Sequence, residues 1–293
     1  MKKKLISLLL VFAICLSLAI PSFASNYVDH TEITLSEYDM IVAERECSTN
    51  SIQTTNELQS NDNQIEEELL YRSTLDENTL KTGYGYSDEA IELIKSYDGT
   101  PLEYAPEMRD ALSNVTLSLT ALYVHKTYAR LKLAWSWDYC PLVRNTDMVA
   151  CAWEGVYEDG LTNEMQVNVY GTSASISYLS PDTGVLSTRE YSASSYADTM
   201  YTINSDIGGI GFEFPMGIEM EKWAKSGTLF LNLELVNQSS GPDLHTLSAV
   251  AEYAHYNASV NPSVSFSPSL SISFSPSLRY EIGDSDHLLL PAT

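Results

Sequence analysis

The central part of the chain alternates between apolar and polar residues, and this period of two constrains its fold more than any other feature. Val115, Leu117 and Leu119 alternate with threonine and serine, and residues 129–137 repeat the pattern. Successive side chains of a β-strand point to opposite faces, so this alternation is typical of half-buried antiparallel strands. Turn-forming clusters of Ser, Asp, Gly and Pro separate the later runs. Those runs lie near residues 148–154, 165–170, 174–180, 185–191, 199–204, 210–214, 228–236 and 247–256.

The number and shortness of these runs indicate the fold class. We predict an all-β domain over residues 111–293, an antiparallel two-sheet sandwich of about ten strands, with a closed barrel as the alternative. We expect a short helical, partly disordered acidic region to precede it.

The first residues have the order of a secretory signal peptide. Three lysines at positions 2–4 precede an apolar run over residues 5–20, and Pro-Ser-Phe-Ala follows and ends at Ala24. We predict that residues 1–24 are removed and that the protein is secreted, with a retained N-terminal anchor as the alternative. No later segment is apolar for long enough to span a bilayer, so we expect no integral membrane segment after cleavage.

Charge separates the next segment from the β domain. The whole chain has a formal net charge of −23, and residues 25–110 hold 20 acidic and 5 basic residues. Such a charge argues against nucleic-acid backbones and anionic lipid surfaces as partners held by charge attraction, because they carry the same sign. We interpret residues 25–110 as an acidic helical and linker region, loosely docked, protease-sensitive and a candidate pro-region.

Short helices are predicted within that region. The segment 36–39 has the form of a capping box, and residues 64–72 are a second candidate. The clearest helix begins after Ser87 as N-cap and ends near Ser96, with acidic residues at its start and a lysine near its end.

Three cysteines remain after signal cleavage. Cys140 and Cys151 flank a connection between two strand-like runs, and we predict a disulfide between them across a hairpin. Two buried free thiols are the alternative. Cys47 is then the odd thiol.

Three tryptophans are candidate ligand-binding residues. Trp135 and Trp137 share one face of a strand, and we place Trp153 on a neighbouring strand. Aromatic rings that line up on a sheet can stack on sugar rings, so these residues form a candidate glycan platform. Leu131 and Leu133 occupy the same face, which favours the alternative of a buried core.

Residues 263–278 have serine at every odd position up to Ser277 and apolar residues or proline between. We predict one edge strand here, with the prolines discouraging further pairing. The alternative is the amphipathic insertion segment of a membrane-active, pore-forming protein.

Catalytic and metal motifs are weak. The chain has neither a Gly-x-Ser-x-Gly elbow nor a His-Glu-x-x-His helix. Glu213, Glu219 and Glu221 are the closest candidates for the carboxylate pair of a glycosidase. Asp284 and Asp286 are weak candidates for a Ca²⁺ site, and we expect no other cofactor.

A set of short motifs carries a resemblance to other proteins. It comprises residues 75–99, Trp135-x-Trp137, Pro141, Asp147 and Ala152-Trp153. With these motifs the first half of the mature chain resembles a group of uncharacterised secreted proteins of Gram-positive bacteria. The resemblance implies secretion and a helical lead-in before a β domain, and it carries no catalytic residues across.

The leading functional hypothesis is a secreted, non-catalytic β-sandwich protein that binds an extracellular protein partner or glycan. The alternatives are an extracellular hydrolase of the carboxylate-pair type and the membrane-active protein.

Overall fold

Within the described residues, the protein is a layered assembly of antiparallel sheets, with helices between its first and second strands. Its structure, a computed structural model, describes residues 30–40, 55–157, 162–163, 165–193, 200–204, 208–219, 221–235, 243–256, 263–267, 270–275 and 288–291. The helices are α1 (Thr55–Thr74), α2 (Glu77–Thr82) and α3 (Asp88–Ser96). The strands are β1 (His30–Ser36), β2 (Asn114–Val124), β3 (Tyr128–Trp137), β4 (Thr146–Tyr157), β5 (Thr162–Asn163), β6 (Met165–Val167), β7 (Ser173–Leu179), β8 (Leu186–Ser192), β9 (Tyr201–Asn204), β10 (Gly209–Pro215), β11 (Gly217–Ile218), β12 (Lys222–Leu235), β13 (Leu244–Tyr256), β14 (Ser263–Ser267), β15 (Ser271–Ser275) and β16 (Leu288–Pro291).

Two large sheets face each other. Sheet A has the strand order β1-β2-β3-β12-β7-β8, and β6 and β11 also pair with β12. Sheet B has the order β16-β13-β4-β10-β9, and β5 pairs with β4. The inward residues of both sheets share one core, in which Trp135 of sheet A stacks on Phe214 of sheet B with ring centroids 4.9 Å apart. The prediction of an all-β antiparallel sandwich is therefore confirmed.

The two sheets explain why the predicted Cys140–Cys151 disulfide is wrong. That prediction required β3 and β4 to form a hairpin, but β3 belongs to sheet A and β4 to sheet B. The connection crosses between sheets and separates the cysteines, which are both buried free thiols. Burial raises the pKa of the Cys140 thiol to about 11, so it stays protonated and unreactive at neutral pH. Cys47 lies outside the described residues.

The serine-alternating segment is a hairpin rather than the single edge strand expected from the sequence. Strands β14 and β15 pair with each other, so that Val264 faces Phe274 and Phe266 faces Ile272. These four side chains are buried and lie on the outer face of sheet B, against alanines of β4 and β13. The glycines of β10 permit this close approach, because a Cβ at Gly209 would lie 2.3 Å from the Phe266 ring. The hairpin therefore covers the second face of sheet B.

Helix α3 matches its sequence prediction. Ser87 is its N-cap and accepts a hydrogen bond from the Ala90 backbone N–H, and the helix ends at Ser96. Helix α1 extends over more residues than the predicted 64–72. Within the described residues, no helix is long and apolar enough to cross a membrane.

The segment before the β domain is tied to the sandwich at two points. Strand β1 pairs with β2 over seven residues, with Thr34 opposite Thr116. From α1, the fully buried Arg72 donates hydrogen bonds to the carbonyl oxygens of Cys140, at 2.6 Å, and Pro141, at 2.7 Å. These contacts give the described part of this segment a shared core with the sheets. The division at residue 110 and the removal of residues 25–110 stay predictions.

Candidate functional site

The outward face of sheet A carries a row of hydroxyl groups that crosses six strands. In this row, the outward residue of each strand is serine or threonine. Each of these residues is the cross-strand partner of the next one in the row. Adjacent strands lie about 4.8 Å apart, which fixes the spacing of the hydroxyls along the row. The row consists of Thr34 (β1), Thr116 (β2), Ser136 (β3), Ser226 (β12), Ser177 (β7) and Thr188 (β8).

A second row lies two residues along each strand, about 7 Å from the first. It has small residues in the centre and a carboxylate at each edge of the sheet, Glu32 on β1 and Glu190 on β8. A shallow depression of about 280 Å³ opens between the rows. The second row consists of Glu32, Ser118, Ala134, Thr228, Ser175 and Glu190. We call the two rows together the hydroxyl face.

Some hydroxyls of this face are held by cross-strand hydrogen bonds. The Thr34 and Thr116 hydroxyl oxygens are 3.3 Å apart, and Ser175 donates to the Glu190 carboxylate at 2.9 Å. A hydroxyl has one donor and two acceptor lone pairs, so each of these groups keeps capacity for a ligand. The face therefore offers a lattice of groups that both donate and accept.

Cations and an aromatic ring lie beside the hydroxyl face on the same side of the sheet. Lys132 and Arg130 follow Ala134 along the outward side of β3, and Phe230 is the β12 partner of Lys132. The Arg130 guanidinium carbon lies 5.0 Å from the centre of the Phe230 ring, within the range of a cation–π contact.

An exposed aromatic group ends this side of the sheet at the turn between β2 and β3. The rings of His125 and Tyr128 stack with centroids 4.6 Å apart, and Tyr123 meets Tyr128 edge-on at 5.4 Å. Tyr123 and Tyr128 are each 45% exposed. Both tyrosine rings are thus partly open to solvent, although His125 covers one face of Tyr128, and we call these three residues the aromatic end.

The tryptophans predicted to bind a ligand are core residues, so that prediction is wrong. Trp135, Trp137 and Trp153 are at most 2% exposed. Trp135 lines the depression, but its ring points into the core and stacks on Phe214. The Trp153 indole N–H donates to the Met165 carbonyl at 2.7 Å. They occupy the inward side of the alternation, as Leu131 and Leu133 indicated.

Sequence reasoning missed the outward residues of the same strands. Tyr128 has the same parity as Arg130 and Lys132, so the alternation already places its ring on the solvent side of β3. A search for aromatic residues among the polar positions would have found it.

A buried polar cluster lies between the sheets and carries no open site. His255 shares a hydrogen bond with Asp147, with Nδ1 and Oδ1 2.7 Å apart, and Tyr253 donates to the other carboxylate oxygen. The Trp137 indole N–H donates to the Tyr253 hydroxyl at 3.0 Å. An Asp–His pair orients the base of many hydrolases, but all four side chains are at most 2% exposed. Substrate cannot reach them, so the cluster joins β4, β13 and β3.

Glu37 adds a carboxyl group to the same interior. It accepts hydrogen bonds from the backbone N–H groups of Leu142 and Ser113, the latter at 3.2 Å. Burial raises the pKa of Glu37, while the charges of His255 and Arg72 oppose that rise. This group fastens the end of β1 to the loop that crosses between the sheets.

The carboxylates proposed for glycosidase chemistry lie apart from the hydroxyl face. Glu213 is on β10 of sheet B, and Glu219 forms an exposed ion pair with Arg189 at 3.8 Å. Glu221 is exposed at the turn before β12. On the face itself, Glu32 and Glu190 sit five strand spacings apart, about 24 Å, which is too far for a catalytic pair.

Metal sites receive no support from the described residues, which contain no cluster of three His, Cys, Asp or Glu side chains able to hold a metal ion. Asp284 and Asp286, the sequence candidates for Ca²⁺, lie outside the described residues.

Comparison with known proteins does not show a family for this chain. No family model and no curated protein match it. A crystal structure of a DUF4466 family protein from Parabacteroides merdae is 12% identical, with a TM-score of 0.22, and the match covers 48% of this chain and 42% of that one. AvmM, described as catalysing macrocyclization in alchivemycin A biosynthesis, is 8% identical with a TM-score of 0.26, covering 60% and 89%. The chain thus spans under half of the DUF4466 protein, and neither likeness carries a functional argument.

Proposed function

We propose that this is a secreted, non-catalytic binding protein and that its hydroxyl face and aromatic end bind an extracellular glycan. The observation that carries the proposal is the row of six serine and threonine hydroxyls in register across sheet A. Sugars are themselves lattices of hydroxyls, so a surface whose groups both donate and accept can match them in several orientations. The exposed parts of the Tyr123 and Tyr128 rings add apolar area for the C–H faces of a sugar.

The test is binding of the purified mature chain to a glycan array, with isosteric variants. Thr116→Val and Thr228→Val remove one hydroxyl each without changing side-chain shape, and we expect each to weaken binding of the selected glycan about tenfold. Thr246→Val removes a hydroxyl from sheet B and should leave binding unchanged.

A second pair of variants tests the aromatic end. Tyr128→Ala should weaken binding by one to two orders of magnitude if its ring stacks on sugar. Tyr104→Ala removes a tyrosine that is 71% exposed in the connection between α3 and β2, away from the aromatic end, and should have no effect. Absence of binding to every glycan, or binding that is indifferent to all face variants, would refute the proposal and direct attention to protein partners.

A further inference from the structure

Two cations occupy the centre of the outward side of sheet A. Arg130 and Lys132 are two residues apart on β3, so both side chains emerge on the same side. The flanking outward residues of β2 and β12 are uncharged: Thr120 and Phe230 beside Lys132, and Tyr123 and Asn232 beside Arg130. Both cations are half-buried rather than free in solvent.

No carboxylate of the described residues neutralises this pair. The chain has 39 acidic against 16 basic residues, and its other cations find partners readily, as in Lys126–Asp243 at 2.8 Å. Neither Arg130 nor Lys132 has a carboxylate of the described residues within 4.0 Å. The Nε of Arg130 is buried without a hydrogen-bond acceptor.

The nearest acid along β12 is engaged elsewhere. Glu234 accepts hydrogen bonds from the side-chain amides of Gln166, at 3.5 Å, and Asn168, at 3.4 Å. Two like charges held about 7 Å apart repel each other, and partial burial strengthens that repulsion. In so acidic a chain, a cation pair that no carboxylate of the described residues compensates, placed beside a hydroxyl lattice, indicates that the missing negative charge belongs to the ligand.

We infer that the ligand is an acidic polyhydroxylated polymer whose oxyanion binds between Arg130 and Lys132 while its hydroxyls lie on the hydroxyl face. This inference rests on the proposed function. A guanidinium presents a planar fork of donors that matches the oxygens of a carboxylate or phosphate. The net negative charge of the chain does not prevent contact, because at physiological salt charges beyond about 8 Å are largely screened.

The experiment measures affinity of the full secreted chain at about 0.15 M salt for three polymers. Polygalacturonate carries carboxylates, its fully methyl-esterified form has the same backbone without charge, and poly(glycerol phosphate) carries phosphates. We expect one of the two acidic polymers to bind at least tenfold more tightly than the ester, and which one binds identifies the oxyanion.

Variants locate the charge contact. Lys132→Met and Arg130→Gln should each weaken binding of the acidic polymer at least tenfold and leave the weak binding of the ester unchanged. Lys222→Met removes a cation from the start of β12 and should change neither. Melting curves of the four proteins confirm that each variant is folded.

Two results would overturn the inference. Equal affinity for both acidic polymers and the ester, with loss of all three in Thr116→Val, would retain glycan binding and remove the charge requirement. Preference for an acidic polymer that Lys132→Met and Arg130→Gln leave intact would place the oxyanion elsewhere. Failure of every polymer and every arrayed glycan would instead refute the proposed function itself.

Discussion

The Glu37 carboxyl group is fully buried, and we therefore predict that the free energy of unfolding depends on pH. Because its pKa is raised above the usual 4.5, the folded protein holds a proton that the unfolded chain releases. The free energy of unfolding should therefore fall as pH rises from about 4.5 through the raised pKa. Glu37→Gln should lack this decline. Urea unfolding of both proteins from pH 5 to pH 8 measures the difference, and parallel pH profiles would contradict it.

The contact between Gly227 and Trp135 gives a second prediction at this scale. The two residues are cross-strand partners, and a Cβ at Gly227 would lie 2.2 Å from Cζ2 of the indole. Gly227→Ala should destabilise the fold by about 1–3 kcal/mol, because the indole has no room to move in a packed core. In a double-mutant cycle, Gly227→Ala should destabilise the Trp135→Leu protein less than it destabilises the wild type. Strict additivity of the two changes would show that the clash is relieved elsewhere.

At the scale of elements, the β14–β15 hairpin is attached to sheet B by side-chain packing. Its strands pair with each other, and the described residues contain no strand pairing between it and sheet B. Phe266→Ala should raise amide exchange of residues 263–275 by more than tenfold while β4 and β13 stay protected, because the opening is local. Ser265→Ala, on the exposed side of the same strand, should leave exchange unchanged. Equal deprotection of sheet B would mean that hairpin and sheet unfold together.

The element scale also shows what the sequence can predict. Period-two alternation predicted ten strands, and each has a counterpart in β2–β4, β6–β10, β12 or β13 because the signal is local to the strand. The N-cap at Ser87 was predicted for the same reason. The partner of a strand is not always local: β3 pairs on one side with its neighbour β2 but on the other with β12, nearly a hundred residues later, rather than with β4.

The candidate site was hidden from the sequence by that same non-locality. No two hydroxyls of β3, β12 and β7 are neighbours in the chain, and their row exists only once the register Ser136–Ser226–Ser177 is set. The ligand hypothesis for the tryptophans rested on residue type alone, although Trp135 and Trp137 have the same parity as Leu131 on β3 and were therefore expected to face the core.

For the whole molecule, the net charge of −23 predicts that thermal stability depends on salt concentration. Self-repulsion favours expanded chains, and added salt screens it. We expect the melting temperature at pH 7.5 to rise by a few degrees between about 10 and 150 mM NaCl, equally in KCl. Near the sequence pI of about 4.4 the rise should vanish. A melting temperature that falls with salt would mean that ion pairs such as Lys126–Asp243 outweigh the general repulsion.

Strand β1 belongs to the segment that we expect to be removable, yet it supplies one edge of sheet A. Its excision would take Thr34 and Glu32 from the hydroxyl face and leave the outer amides of β2 without partners. A bare strand of this kind recruits another by main-chain pairing, from a second copy or from an extended peptide. Proteolytic maturation would then do more than shorten the chain: it would expose β2 as a new edge strand and make the protein prone to self-association.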